Sequence, residues 1–469
     1  MNRMTHLRRY HWVVTMTLLV FLFGAAALFA DAPETPDDLE RLRQVIEDQQ
    51  RRLEAQQREL DAQRKMMQEL MQQVRNLTDV AETESIRADS MPPEVPEAFA
   101  ADQDANEPDW PGSFSLFGSK TRFKIGGFAQ LDLIYDTDAI ATRGEFVTAA
   151  IPTDGGTKAE GADGQTTFSV NASRLTFESR TPTSLGRLKT FFSLDLFDDP
   201  NTPSLRMRQA YGELSGALWG GDLLLGQAWG TYVDLEAWPD LVDFEGPDSA
   251  IAVRQPQLRW SKGVSESIDV QIALEQPGGG TVEGTDVLTR WPDLVSTVKW
   301  TRGGGHLRGA GILRDIRVST DDGPVQTALG WGLAGSGRVV LPAESYLVFE
   351  ASYGEGTGNY YNDGVTIGAI DPADSSFDLL PVFAYYVGLG HAWSPSLSSA
   401  VLYAEYDLDN LDYQPDDAGS KSGYFSLNLI WRPDPSLMFG AEFLRGGRED
   451  KDGAEGTDNR IQLTGQFSF

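Results

Sequence analysis

The chain contains no cysteine, so neither disulfides nor thiol chemistry can hold it together or run a reaction. It has only 4 histidines, and His306 and His391 alone lie beyond the first residues. Neither belongs to a recognisable set with a serine and an acid or amide, so no enzymatic activity is expected. Basic residues are also scarce. The 39 Lys and Arg against 69 Asp and Glu give a formal charge of −30, which excludes the basic face that a nucleic-acid binder needs. Beyond residue 30 no apolar run reaches the roughly 20 residues that cross a bilayer as a helix. Nothing requires a cofactor or a metal. The stretch "GEGTG" at 354–358 lacks the following helix of a phosphate cradle, and the carboxylates of "DLFDDPN" and "YNDG" read as solvated loop charge before they read as a cation site.

What is present begins with an export signal, expected over 1–30. Arg3, Arg8 and Arg9 form a basic start, residues 13–22 an apolar run, and Ala25, Ala26, Ala27 and Ala30 a small-residue end. A retained anchor helix is the alternative. The Arg8-Arg9 pair reads as plain n-region charge, not as a twin-arginine address, since no cofactor demands folding before export. Cleavage after Ala30 or Ala32 removes three arginines and takes the formal charge from −30 to about −33.

A helical stretch follows at 37–78. Leu39, Ile46, Leu53, Leu60, Met67 and Val74 recur every seven residues, with Leu42, Gln49, Gln56, Gln63, Leu70 and Leu77 three places on. This predicts a self-associating coiled coil, trimeric before dimeric, whose seam glutamines fix register at a cost in stability. A single charged helix is the alternative. The segment 79–120 is acidic, carries Pro92, Pro93 and Pro96, and reads as a linker.

From residue 121 to 469 the period changes to two. In "RFKIGGFAQLDLIYD" Ile125, Ala129, Leu131, Leu133 and Tyr135 share one face and Lys124, Gln130 and Asp132 the other. The same alternation sets Leu188, Phe192 and Leu194 against Lys189, Ser193 and Asp195. It also sets Ile268, Val270, Ile272 and Leu274 against Asp269, Gln271 and Glu275, and Phe425, Leu427, Leu429 and Trp431 against Ser426 and Asn428. A soluble sandwich would bury the apolar faces inside, whereas a membrane barrel turns them to lipid and lines its lumen with the polar ones.

Three features favour the barrel. Short connections such as "TPTSLG", "TRGGG", "LPAES" and "RPDPS" alternate with long polar stretches at 137–164, 232–249, 354–378 and 447–459. Trp260, Trp300, Trp393 and Trp431 each stand just before a short connection, as an aromatic girdle on one rim would. The closing "RIQLTGQFSF" alternates to its last residue, Phe469, as expected of a final strand that pairs with the first and is read by the outer-membrane insertion machinery. The expected fold is an all-β transmembrane barrel of about sixteen antiparallel strands behind an N-terminal coiled coil.

The segments "FKIGGFAQLDLIYD", "SRLTFESRTPTSLGRLKTFFSLDLF", "LRMRQAYGEL", "LLLGQAWGTYVDLEAWPDLVDFEGP" and "VRQPQLRW" resemble the DcaP-like trimeric outer-membrane porins. The resemblance implies a homotrimer in the outer membrane of a Gram-negative bacterium, surrounded by lipid and lipopolysaccharide, with the coiled coil in the periplasm. It also implies passive uptake of small anionic solutes such as dicarboxylates through an arginine-lined constriction.

Alternation places Arg174, Arg180, Lys189 and Arg259 toward the lumen, and Arg206 and Arg208 on one shared face. Arg254 shares parity with Leu258, so it reaches the lumen only through a bulge at Pro256 or as part of the preceding loop. Arg314 shares parity with Ile312 and Ile316, which would turn a charge to lipid at a cost of about 2 to 4 kcal/mol. An inward loop near 231–250 is expected to set Asp234, Glu236, Asp240 and Asp243 across from the arginines, giving a transverse field over the pore. The competing function is a plugged structural barrel that tethers the outer membrane to the cell wall through its coiled coil.

Overall fold

In a computed structural model the described residues are 110–469 apart from 116–118, 154–160, 162, 278, 284 and 320–324. The expected signal peptide, coiled coil and most of the linker lie outside them.

The described residues form a closed barrel of 16 antiparallel strands. In chain order these are β1 (Arg122–Asp136), β2 (Gln165–Ser169 with Arg174–Thr183), β3 (Gly186–Asp195), β4 (Arg206–Leu218), β5 (Gly221–Trp229) and β6 (Arg254–Ser265). Next come β7 (Ile268–Glu275), β8 (Asp286–Thr289 with Asp293–Arg302), β9 (Gly305–Ser319), β10 (Gln326–Leu341) and β11 (Ser345–Glu355). The circle is completed by β12 (Pro381–Ser394), β13 (Leu397–Leu408), β14 (Gly419–Asp434), β15 (Leu437–Asp450) and β16 (Glu455–Ser468). Closure comes from β16 pairing with β1, from Phe128 opposite Ser468 to Asp136 opposite Arg460. No edge is left along this seam to recruit another strand.

The outward faces are apolar and the inward faces polar, the reverse of a soluble sandwich. On β16 Leu463 is 47 % exposed while its neighbour Gln462 is 2 % exposed. Leu427 and Leu429 on β14 are likewise exposed, with Ser426 and Asn428 buried. Only lipid makes that arrangement favourable.

Tight connections gather on one rim. At Trp219-Gly220, Gly303-Gly304 and Ala343-Glu344 both central residues have positive φ, the hairpin turn whose twist matches the strands it joins. On the same rim Trp300, Trp393 and Trp431 are exposed, Trp431 packs on Phe439 at 5.6 Å, and Phe439 packs on Phe467. Trp260 is half-buried and donates its indole N–H to the Leu218 carbonyl at 2.9 Å. Phe469 is exposed beside them, its N–H donating to the Gly127 carbonyl.

Two expectations about strands need correction. The stretch 447–459 is not a long loop: β15 runs to Asp450 and β16 starts at Glu455. The face shared by Ile312, Arg314 and Ile316 points inward, with all three buried. Part of the lumen is packed like a protein core, so there apolar residues face inside. One cluster joins Tyr232, Val233 and Ile251 of the segment between β5 and β6 to Tyr360, Tyr361, Ile312 and Val382. A second joins Ile140, Phe146 and Ile151 of the segment between β1 and β2 to Tyr386, Leu402, Tyr424 and Leu444.

Candidate pore constriction

The chain leaves β5 at Gly230 and returns at Val253, the Gly230 N–H donating to the Val253 carbonyl at 2.9 Å. Between these two points the segment folds into the barrel and binds the far wall. Its start is held by Arg308 of β9, which donates to the carbonyls of Thr231 and Tyr232. Its middle is held by Tyr386, whose hydroxyl donates to the Ala237 carbonyl. At its tip Glu442 of β15 accepts the N–H groups of Val242, at 2.9 Å, and Asp243, at 2.5 Å. Gly440 lies directly behind Val242, where any side chain would meet it.

The four acids of this loop turn to the wall. Asp234 lies 2.8 Å from His306 and accepts from Ser336, Glu236 pairs with Lys299 at 2.6 Å, and Asp240 pairs with Arg432 at 3.1 Å. Asp243 accepts from the N–H of Phe146 and of Gly246 and from the Tyr424 hydroxyl. Burial acts to raise Asp234, but the hydrogen bonds from His306 and Ser336 and the nearby Arg308 outweigh it and hold the carboxyl below its usual range. Burial pushes Asp243 up to about 6.

On the near wall the strands bring four arginines together. Arg206 grips Asp195 through two parallel bonds of 3.0 and 2.9 Å, and Arg208 adds a third at 2.5 Å. Such a fork is the strong geometry for a guanidinium and a carboxylate. Phe244, from the inward loop, stacks on Phe197 at 4.0 Å, and the guanidinium groups of Arg206 and Arg208 lie over its ring at 5.7 and 5.2 Å. Arg254 lies over Trp229 at 4.8 Å and Arg174 over Phe128 at 5.4 Å.

Arg174 owes its place to an interruption. Gly127 lies so close to the Arg174 carbonyl that a Cβ would fall 2.1 Å from it, and its φ of +149 is one that residues with side chains avoid. Here β2 breaks between Ser169 and Arg174. Arg254 comes in differently: the pairing of β6 with β5 is regular through Pro256, so there is no bulge, and Arg254 reaches the lumen from the strand's first position, where the inward loop ends.

These four arginines line a cavity of about 470 Å³ with Trp229, Trp238 and Phe244. None of the four predicted loop acids borders it. The carboxylates that do are Glu145, from the segment between β1 and β2, and Glu245, two places beyond Asp243. Burial raises both, Glu145 to about 7, even though Arg206 acts to lower Glu145 and Arg254 to lower Glu245. Alternation could not point to either, because both lie in irregular segments.

A second cavity of about 460 Å³ lies toward the short-turn rim, and Trp229 and Leu235 border both. Arg259 lines this one with Lys262, Lys299 and Arg308 together with Asp234, Glu236 and Asp269. Arg180 and Lys189 line neither. Arg180 binds Glu178 at 2.8 Å and stacks on Trp110 at 4.0 Å, and Lys189 lies near the rings of Phe191 and Tyr211.

The chain can now be set beside known proteins. No curated protein matches it. Over the barrel it is similar to the outer membrane channel DcaP of Acinetobacter baumannii, with 21% identity and a TM-score of 0.67 over 76% of this chain and 100% of that one. It is also similar in fold to an anion-selective porin from Comamonas acidovorans, with 10% identity and a TM-score of 0.52 over 74% of this chain and 100% of that one. A family model described as DcaP outer membrane protein matches residues 103–469. The chain therefore belongs to the DcaP outer membrane protein family, a family of outer-membrane channels of Gram-negative bacteria.

Proposed function

We propose that this barrel is a passive diffusion channel for small hydrophilic solutes that favours anions, dicarboxylates among them. One observation carries the reading: four arginines, Arg174, Arg206, Arg208 and Arg254, line one lumen cavity, and Asp195 is the one carboxylate ion-paired with them among the described residues. Fixed positive charge in a narrow, low-dielectric passage raises the local concentration of anions and lowers that of cations. The guanidinium fork also suits carboxylates, which lysine would hold only as a point charge.

The formal charge of −30 does not oppose this, because loop and linker carboxylates farther than about 8 Å away are screened at physiological ionic strength. The channel is taken to be a homotrimer, as porins commonly are, joined by the heptad segment at 37–78 on the periplasmic side. Lipid and lipopolysaccharide surround it, and its last strand is recognised by the insertion machinery.

The test is the zero-current potential of the refolded protein in a planar bilayer under a salt gradient. Conduction with anion selectivity is expected. Cation selectivity would mean that the acidic inner segments set the field, and absence of conductance would favour the plugged tether.

A further inference from the structure

The cavity is two-sided, and its acidic side has no assigned purpose. Glu145 and Glu245 come from different inner segments and make no ion pair with any described residue. In the same cavity Arg174 Nε, Arg208 Nε and Arg254 Nη1 are buried without hydrogen-bond partners, although Arg208 is held to Asp195 through its Nη1. Buried charged groups without a counter-ion are costly, and Arg174, Arg254, Glu145 and Glu245 have none among the described residues, so the site is completed by a solute that supplies both signs. A plain dicarboxylate would satisfy the guanidinium donors but would leave the two glutamates without a cation.

Resting on the channel reading above, we propose that this cavity is a binding site for solutes that carry a carboxylate and an ammonium group, such as amino acids and short amino-carboxylates. The carboxylate lies against Arg174 and Arg254 and the ammonium between Glu145 and Glu245. The two glutamates are then specificity-determining residues: they admit a cationic end that the arginines alone would repel. Trp229, Trp238 and Phe244 give the intervening carbon chain an apolar surface.

The experiment compares initial uptake of labelled γ-aminobutyrate and labelled 4-acetamidobutyrate into liposomes containing the full-length protein, with labelled arabinose as a neutral reference. The two acids share a chain and a carboxylate, and only the first has an ammonium group. The expected result is preference for γ-aminobutyrate, with the ratio of the two falling about threefold in a Glu145→Gln, Glu245→Gln double variant, the weight of one partly hydrated ion pair. Arabinose uptake is read in the same vesicles, and its presence shows that the variant has folded and inserted. A ratio that the double variant leaves unchanged, with arabinose still entering, overturns the proposal alone. Failure of arabinose to enter through the wild-type protein overturns the channel reading and this proposal with it. If the double variant loses arabinose uptake, Glu145→Gln and Glu245→Gln are made singly, and an unchanged ratio in both is again a refutation.

Discussion

Asp234 Oδ2 and His306 Nε2 stand 2.8 Å apart, tying the start of the inward loop to β9, three strands along the wall from β6. Ser336 donates to the same oxygen at 2.6 Å, and both Asp234 and His306 are buried. Asp234→Ala leaves His306 and Ser336 without the buried oxygen they both bind, and a buried polar group left unsatisfied costs about 1 to 3 kcal/mol. The loss should concentrate in the loop's attachment. Single-channel recordings are expected to gain open-state noise and brief closures, while a trace as quiet as wild type would show that the other anchors suffice.

The loop tip offers a steric counterpart. A Cβ on Gly440 would lie 2.7 Å from Val242 Cγ2, so Gly440→Leu must push the tip off β15. Overpacking of this kind costs about 1 to 3 kcal/mol, and the displaced tip should narrow the passage. Lower single-channel conductance is expected, with the sign of selectivity kept.

Glu145 and Glu245 make selectivity depend on pH. Burial raises both carboxyls, Glu145 to about 7, so Glu145 loses negative charge as pH falls through neutrality while the arginines keep theirs. The cavity is therefore more positive at pH 6 than at pH 8. Anion selectivity should increase as pH drops between those values. In the Glu145→Gln, Glu245→Gln variant the zero-current potential should stay flat across the same range, and a slope equal to wild type would assign the titration to other groups.

Arg314 is 2 % exposed, donates to Asp293 at 3.0 Å, and also binds Asn359 and the Gly356 carbonyl. It fastens the segment after β11 to the inner wall. Arg314→Leu would leave Asp293 buried without its cation, a loss of about 3 to 5 kcal/mol. Heat-induced unfolding followed by gel mobility should move to lower temperature. An unchanged transition would mean that the variant repacks as an apolar isostere.

The same residue marks where reading the sequence succeeds and where it stops. Alternation identified the lipid face wherever the residues turned to the lumen are mainly polar, because there only lipid rewards an apolar side chain, as on β7, β14 and β16. It misled at Arg314, because the segment at 356–361 fills the lumen beside β9 and makes Ile312 and Ile316 core residues. The stretch 447–459 looked like a loop because it is polar on both faces, and strand ends standing in water have no reason to alternate. The inward loop after the fifth strand was legible from its position and its aromatics. The targets of its acids were not, since irregular backbone has no period. Three of the predicted lumen arginines, Arg174, Arg206 and Arg208, do come together, joined by Arg254, which arrives from a strand end.

On the proposed channel reading, the four-arginine cavity, and not basic residues elsewhere in the barrel, sets ion selectivity. The most direct measurement is the zero-current potential of an Arg174→Ala, Arg254→Ala variant beside Lys189→Ala, whose residue lies outside that cavity. The potential of the double variant should move to zero or reverse, and that of Lys189→Ala should match the wild type. A double variant as anion-selective as wild type would contradict the account.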